Sequence, residues 1–211
     1  MSGIIMIIIG YLLGSINTGI LVSKFMKLPD PRSGGSGNPG ANNMLRIAGK
    51  NAALITLVGD ALKGFIAVII ARIIGVQGFM LGLVAIAAMI GHIYPLYFKF
   101  KGGKGVATAI GGILAINFLV GLIAVIAWII VLVVFRYASL ASIVAIICAP
   151  LFAAFVHSGY YVALLIMAAI VIWRHWDNID RLMKHQEDKV DLKKLVESSC
   201  GHSNHDNDHH S

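Results

Sequence analysis

The chain has 211 residues and is both strongly apolar and basic: 58% of its residues are hydrophobic, 13% are charged, and its formal net charge is +7. Its mean hydropathy of +0.83 is more than any water-soluble core of this length needs, which excludes an ordinary soluble domain. In a membrane protein the positive charge follows from topology and from attraction to anionic headgroups, so it does not indicate a nucleic-acid partner. The composition predicts a polytopic protein embedded in a lipid bilayer.

Apolar runs divide the chain into predicted membrane-spanning helices of about 20 residues each. No positive charge precedes the first run and no convincing cleavage site follows it, so we interpret this run as a retained span rather than a signal peptide. Residues 105–173 carry a single charge, and we place the boundaries within them at Asn117, Arg136-Tyr137 and His157-Ser158. The predicted spans are 3–23, 52–74, 79–98, 105–117, 119–135, 138–156 and 159–174.

The distribution of lysine and arginine predicts the orientation of these seven helices. With the N-terminus outside, the cytoplasmic segments hold fifteen of the seventeen lysine and arginine residues, and only Lys63 and Arg72 lie elsewhere. These segments are 24–50, 99–104, 136 and 174–211. We therefore expect an all-α polytopic membrane protein with seven transmembrane helices, cytoplasmic polar loops, an external N-terminus and a cytoplasmic C-terminus.

The first long polar segment, residues 32–46, has almost no apolar side chain to pack before Ala41, where a helix is expected to begin. Its glycine amides, small polar side chains and closing arginine are groups that bind anions. A flexible linker is the alternative, but a linker needs no such set of groups. The candidate residues are Gly35, Ser36, Gly37, Asn38, Gly40, Asn43 and Arg46.

Two opposite charges, Asp60 and Lys63, lie three residues apart on one face of the second predicted span. Each alone costs about 2.5–3.5 kcal/mol at the centre of a bilayer, so each needs a partner. We interpret them as a structural ion pair, and direct contact with a substrate is the alternative.

The segment 91–108 places a loop rich in glycine and lysine directly between two apolar runs. Glycine allows successive amide groups to turn toward an anion, and the lysines add positive charge. It is not a Walker A loop, because Gly105 follows Lys104 where a magnesium-binding hydroxyl should stand. The segment predicts a phosphate site at the bilayer surface, with His92 as hydrogen-bonded support. The candidate phosphate-binding residues are Gly102, Gly103, Lys104 and Gly105.

The third polar segment, residues 174–187, follows the last predicted span. His175 and Asn178 are three residues apart and would share one helical face, so both side chains would reach one ligand. A solvated helix that flanks the membrane, with Trp176 at the interface, explains the same residues equally well.

Together these segments resemble the bacterial acyl-phosphate-dependent glycerol-3-phosphate acyltransferases, a family of membrane enzymes that make lysophosphatidic acid. The resemblance covers nearly the whole chain, and the order and spacing of its motifs make it specific. The motifs that carry it are Gly14-Ser15, Gly35 to Asn38, Gly40-Ala41, Asn43 to Arg46, Gly91-His92, Pro95, Phe100 to Thr108, Arg136-Tyr137, Ser139-Leu140, Ser142, His175, Asn178 and Arg181-Leu182.

The resemblance implies transfer of a fatty acyl group from acyl phosphate to the sn-1 hydroxyl of glycerol 3-phosphate, with no cofactor and no metal. It implies an active site on the cytoplasmic side of the bacterial inner (plasma) membrane, and the soluble enzyme that makes acyl phosphate as a partner. The implied catalytic residues are Ser36, Arg46, Lys104, His175 and Asn178. The implied substrate-binding residues are Gly35, Gly37, Asn38, Gly40, Asn43, Gly102, Gly103, Gly105 and Ser142.

Two alternatives to an enzyme remain at this point. A transporter of a small anion would use Asp60, Lys63 and Arg72 along a pathway at the midplane, but it should carry polar residues on several spans and show related halves. Here the polar residues gather on one side of the membrane. A structural subunit leaves the glycine-rich loops unexplained.

The end of the chain, residues 199–211, is predicted to be a disordered His-rich cytoplasmic tail that follows one integral-membrane catalytic domain, residues 1–198. Four of the eight histidines lie in this tail, but a flexible segment would have to order itself around an ion, so no functional metal site is expected. The two cysteines, Cys148 and Cys200, are expected to be free thiols.

We expect removal of residues 199–211 to leave the rate of acyl transfer unchanged, because no candidate site residue lies in this tail. The measurement is the turnover of the purified truncated chain beside that of the full-length chain. A large loss of turnover at unchanged thermal stability would contradict the prediction.

Overall fold

The computed structural model describes residues 1–156 and 159–191, and within them the chain is helical with no strand, which confirms the predicted all-α class. The predicted tail, Cys200, the domain end at residue 198 and the boundary at His157-Ser158 lie outside the described residues. The described helices are α1 (Ser2–Gly14), α2 (Thr18–Phe25), α3 (Ala41–Ile73), α4 (Gly78–Ile93), a 3-10 turn (Leu96–Phe98), α5 (Val106–Ile116), α6 (Phe118–Phe135), α7 (Ala138–Phe155), α8 (Tyr161–Arg174) and α9 (Trp176–Met183).

The first predicted span, residues 3–23, is interrupted between α1 and α2 rather than continuous. Asn17 restarts the helix, because its side-chain Oδ1 accepts a hydrogen bond from the Ile20 amide at 3.1 Å. The interruption releases the carbonyl of Ile16 from the helical ladder, and in a bilayer the protein itself must satisfy that group. The Lys63 ammonium does so at 2.6 Å.

Helix α3 begins at Ala41, as predicted, and runs for 33 residues to Ile73. Gly49 breaks it with φ of 81° and ψ of −176°, a conformation that glycine adopts without a steric penalty. The break separates a short polar part, continuous with the first loop, from the apolar part that contains the predicted span 52–74.

Helix α4 ends at Ile93, earlier than the predicted end of its span at residue 98. Pro95 follows, the chain forms the 3-10 turn, and Lys99 and Phe100 both adopt positive φ angles. This turn leads directly into the lysine-rich loop that precedes α5.

Helix α5 has 11 residues, which rise about 16 Å and so cover only about half of a hydrocarbon core. Its last carbonyls are capped by a cation: the Arg72 guanidinium donates to Ala115 at 3.0 Å and to Ile116 at 3.2 Å. Asn117 ends α5 and caps the start of α6, and Arg136 ends α6. The predicted boundaries at Asn117 and Arg136 are therefore confirmed.

Within the described ranges, five helical segments are long and apolar enough to cross a membrane, or six if the bent pair α8–α9 forms one span. Helix α5 is too short to be counted among them. The multi-pass membrane class is confirmed, whereas the count of seven spans stays a prediction. The five segments are Ser2–Phe25, Ala41–Ile73, Gly78–Phe98, Phe118–Phe135 and Ala138–Phe155.

Glycine occupies the places where helix backbones come closest, as expected in lipid, where close packing rather than exclusion of water holds helices together. Helix α5 crosses α3 at two such places: a side chain at Gly111 would meet the Ala61 carbonyl, and one at Gly64 would meet the Thr108 carbonyl. This crossing determines where α5 begins, and with it the position of the lysine-rich loop.

We expect Gly111→Ala to lower the thermal stability of the purified protein in detergent, because the added methyl group would force α3 and α5 apart at the Ala61 carbonyl. The expected loss is about 1–3 kcal/mol, which exceeds the gain in helix propensity. Gly3→Ala is the matched control, since its nearest neighbour would be the Met80 side chain at 3.4 Å, an ordinary contact. Equal unfolding temperatures for the native and Gly111→Ala proteins would contradict the prediction.

Candidate active site

A cavity of about 380 Å³ is lined by residues of α3, α4, α5, α6, α7 and α9 and by the loops before α3 and α5. One part of its lining is polar, and includes Asn38, Lys104, Ser142, His175, Asn178 and Glu187. Another part is apolar, and includes Leu57, Ile110, Leu114, Val125, Trp128 and Ile129. The same space therefore offers charged groups and a hydrocarbon surface.

A chain of hydrogen bonds connects the predicted residues of the second and third polar segments. The Lys104 ammonium donates to Oδ1 of Asn178. The amide nitrogen of Asn178 in turn donates to Oε1 of Glu187 at 2.6 Å, and Nε of Arg181 donates to Oε2 of the same carboxylate at 2.7 Å. The glutamate thus fixes the orientation of the Asn178 amide, with its oxygen toward Lys104.

His175 lies at the junction of α8 and α9, where the chain bends by 60°. Its ring is buried, and Nδ1 lies 2.8 Å from the carbonyl oxygen of Val171. A carbonyl only accepts hydrogen bonds, so Nδ1 carries the proton. In the neutral ring Nε2 is then the nitrogen that accepts a hydrogen bond from a ligand.

The environment of the cavity sets the protonation states of these groups. Burial lowers the pKa of Lys104 to about 8, although the nearby Glu187 carboxylate opposes the shift. Burial and the charge of Lys104 lower the pKa of His175 to about 4. For Glu187, burial would raise the pKa, but hydrogen bonds, including those from Asn178 and Arg181, outweigh it and lower the pKa. At pH 7 the site therefore holds a charged lysine, a neutral histidine and an ionised glutamate.

The glycines of the second polar segment pack closely against the preceding helix. The Gly102 amide donates to the Ile93 carbonyl at 3.2 Å and the Gly103 amide to the His92 carbonyl at 3.1 Å. Because these two amides already donate hydrogen bonds within the chain, the structure supports close packing as the role of both glycines. Their contact with a substrate stays a prediction. Gly105 lines the cavity at φ of 88°, just before the first amides of α5.

Asn43 shapes the first polar segment from within. Its side chain is buried, donates to the carbonyls of Pro31 at 2.9 Å and Gly34 at 3.0 Å, and accepts from the Ser36 amide at 2.9 Å. Gly35 lies against this side chain with φ of 59°, which favours glycine. Asn43 therefore holds the loop in shape, and Ser36 itself is exposed.

Arg46 faces a second, adjoining cleft of about 280 Å³. Its guanidinium forms an ion pair with Asp188 at 2.7 Å, and the side chains of Arg46 and Asp188 are 34% and 73% exposed. Asn42 lines both this cleft and the larger cavity. The structure thus brings Arg46 next to the other site residues without placing it among them.

Of the predicted site residues, about half line the larger cavity. Those that do are Asn38, Gly40, Lys104, Gly105, Ser142, His175 and Asn178. Those that do not are Gly35, Ser36, Gly37, Asn43, Arg46, Gly102 and Gly103. The Ser142 hydroxyl donates to the Ala138 carbonyl at 2.7 Å and accepts from the Trp128 indole at 3.3 Å.

The charges of the second span form the predicted ion pair, with Lys63 Nζ at 2.8 Å from Asp60 Oδ1. His92 is hydrogen-bonded, as predicted, and its Nδ1 lies 2.9 Å from the same ammonium. Both Asp60 and His92 also line the cavity, so this ion pair adjoins the site.

Sequence reasoning did not select Glu187 or Trp128 as site residues. A signal for the glutamate existed, because the chain has only two glutamates, Glu187 and Glu197, and the first ends the third polar segment, which is rich in basic residues. For Trp128 nothing in its apolar run distinguishes it from packing residues. In the part of the chain that the structure describes, no three His, Cys, Asp or Glu side chains are grouped to hold a metal ion.

Comparison with known proteins identifies the family of the chain. The glycerol-3-phosphate acyltransferase family model matches residues 4–185. A glycerol-3-phosphate acyltransferase of Coxiella burnetii (strain Dugway 5J108-111) is 51% identical over 193 residues, which cover 91% of this chain and 100% of the relative. One from Burkholderia orbicola (strain MC0-3) is 46% identical over 199 residues, which cover 92% and 96%.

The fold is similar to that of PlsY (YgiH), whose crystal structures are described as those of an integral membrane glycerol 3-phosphate acyltransferase. The glycerol 3-phosphate form gives a TM-score of 0.86 at 38% identity, and the match covers 93% of this chain and 99% of that one. The lysophosphatidic acid form gives 0.84 at 37% identity with the same coverage. The family resemblance predicted from the motifs is thus confirmed, and the chain belongs to the glycerol-3-phosphate acyltransferase family.

Proposed function

We propose that this chain transfers a fatty acyl group from acyl phosphate to the sn-1 hydroxyl of glycerol 3-phosphate, which yields lysophosphatidic acid and inorganic phosphate for phospholipid synthesis. Its family confirms the predicted class of enzyme, a glycerol-3-phosphate acyltransferase. The two forms in which PlsY was crystallised support the choice of acceptor and product.

The observation that carries this proposal is the composition of the larger cavity. Lys104, His175 and Asn178 meet in a space that is also lined by aliphatic and aromatic side chains of α3, α5 and α6. A soluble phosphorylated substrate needs only the polar groups, and a lipid tail needs only the apolar ones. A reaction that joins a fatty acyl chain to a phosphorylated alcohol needs both.

The reaction requires alignment of the two substrates more than it requires a nucleophile from the protein. The acceptor hydroxyl oxygen attacks the carbonyl carbon of the mixed anhydride, its proton passes to a base, and the bond from that carbon to the phosphate oxygen breaks. Because the anhydride is already activated, the protein must mainly bring two anions together and stabilise the developing oxyanion. Lys104 would bind one phosphate and neutralise charge as it departs.

Arg46 would bind the second phosphate. Its pair with Asp188 is exposed, and pairs of that kind contribute about 0–1 kcal/mol, so a doubly charged phosphate competes for the guanidinium effectively. Ser36, Asn38 and Asn178 would supply neutral hydrogen bonds.

Two groups are candidates for the base. His175 lines the cavity, and its ring is neutral at pH 7 because its pKa is lowered. Since Nδ1 carries the proton, Nε2 is free to accept one. A phosphoryl oxygen of a substrate is the alternative, and His175 would then orient the hydroxyl.

We further propose seven membrane crossings, with the N-terminus outside and the site on the cytoplasmic side of the bacterial inner membrane. The segregation of lysine and arginine supports this orientation. The soluble enzyme that makes acyl phosphate would deliver its product from the same side. Helix α5 would complete its crossing together with the loop before it.

The decisive experiment supplies purified protein with acyl phosphate and labelled glycerol 3-phosphate. We expect labelled lysophosphatidic acid and one phosphate per ester, and we expect Lys104→Ala or Arg46→Ala to abolish turnover in a folded protein because each removes a phosphate-binding cation. Lys184→Ala removes an exposed lysine on the same side and is the control. Wild-type rates in either variant would refute the assigned roles, and vesicle uptake of glycerol 3-phosphate without ester formation would favour a transporter.

The pH dependence of kcat/KM tests the state of Lys104. The lysine is protonated below its pKa of about 8, so we expect kcat/KM to fall as the pH rises through 8 and the ammonium loses its charge. In Lys104→Arg this alkaline decline should vanish, since a guanidinium stays charged. A flat profile to pH 9.5 in the native enzyme would contradict the prediction. The acidic side of the same pH profile distinguishes the two candidate bases. As the pH is lowered, kcat/KM should fall near pH 4 if His175 is the base, and at about pH 6 if a phosphate monoester is the base.

A further inference from the structure

A compact group of three charged or titratable side chains lies directly beside the lysine-rich loop. Asp60 and Lys63 come from α3 and His92 from α4, and their exposed fractions are only 2%, 7% and 4%. A plain ion pair within α3 would need no third member. The geometry of the three points to a more specific role.

The Lys63 ammonium has three hydrogen-bond acceptors around it. They are the carbonyl of Ile16 at 2.6 Å, Oδ1 of Asp60 at 2.8 Å and Nδ1 of His92 at 2.9 Å. Paired with the Asp60 carboxylate, the lysine is an ammonium with three N–H donors and no acceptor, so its third contact is satisfied only by an Nδ1 without a proton. His92 is therefore the neutral tautomer that carries its proton on Nε2.

The Nε2 edge of the His92 ring lies against the loop. Of all atoms near Gly103, Nε2 is the one that a side chain at this position would meet first. The Gly103 amide also donates to the His92 carbonyl at 3.1 Å. Backbone and ring of His92 therefore both contact the residue that precedes Lys104.

We propose that Asp60 and Lys63 are positioning residues for the phosphate site. They hold the His92 ring, as the Nε2–H tautomer, against Gly103, and so set the path of the backbone that brings Lys104 to Asn178. The inference rests on the proposed function, because it assumes that Lys104 binds a substrate phosphate. Through Ile16 the same ammonium also ties the interruption between α1 and α2 to the site.

Steady-state kinetics of a double variant test this role. Asp60→Asn/Lys63→Met removes both charges together, which avoids leaving one of them buried and unpaired. Asp180→Asn/Lys184→Met is the matched control, because it removes an exposed pair of the same composition, 2.7 Å apart on α9. We expect the KM for acyl phosphate or for glycerol 3-phosphate to rise about tenfold in the first double variant and neither to change in the control.

The two KM values are measured separately, and the substrate whose KM rises is the one whose phosphate Lys104 binds. A purely structural ion pair would act differently, since its loss would reduce the folded fraction, and with it kcat, while both KM values stayed the same. Unchanged KM values in a folded double variant would overturn the proposal. Absence of acyl transfer by the native enzyme would instead refute the proposed function.

Nitrogen-15 NMR of histidine-labelled protein tests the tautomer without any assay of activity. The His92 signals are assigned by their loss in His92→Gln. We expect a protonated Nε2 and a bare Nδ1 in the native chain, and loss of this preference in Lys63→Met. A protonated Nδ1 in the native chain would overturn the inference, whatever the kinetics of the double variant.

Discussion

The structure depends on the rule that lipid supplies no hydrogen-bond partner, so every interruption of a helix and every charge within the bundle must be satisfied by the protein itself. Lys63 satisfies both the carbonyl released at Ile16 and the Asp60 carboxylate. At the C-terminal end of the same helix, Arg72 caps the last carbonyls of α5. These two basic residues are the ones that the orientation rule leaves outside the cytoplasmic segments, and each has a structural task.

A site for two anions must hold several cations close together before any substrate arrives, and such cations repel one another. Here carboxylates near the end of the described chain relieve that repulsion. Glu187 contacts Arg181 and Asn178 beside Lys104, and Asp188 pairs with Arg46. The difference in burial is informative, because Glu187 is held within the cavity wall whereas the Asp188 pair is accessible and weak. Lys104 is therefore held in a fixed geometry, whereas Arg46 is engaged only in a weak, accessible pair.

Sequence reasoning selected polar residues that the fold brings together, but it did not reveal how the loop before α5 packs. Lys104, His175 and Asn178 are polar residues next to long apolar runs, and they do meet in one cavity. The glycines before Lys104 were interpreted as amide donors for an anion, yet the amides of Gly102 and Gly103 bond to carbonyls at the end of α4. That outcome depends on how closely the loop approaches α4, which residue types do not reveal.

The sequence by itself determined the membrane class, the all-α fold, the boundaries at Asn117 and Arg136, the family and several of the polar residues around the cavity, because hydropathy, charge and motif spacing are local properties of the chain. Only the tertiary structure decided that the first span is interrupted, that Arg46 faces a separate cleft, and that Glu187 and Trp128 join the site. These features arise where helices distant in sequence cross, and the contacts there depend on crossing positions set by glycines such as Gly64 and Gly111.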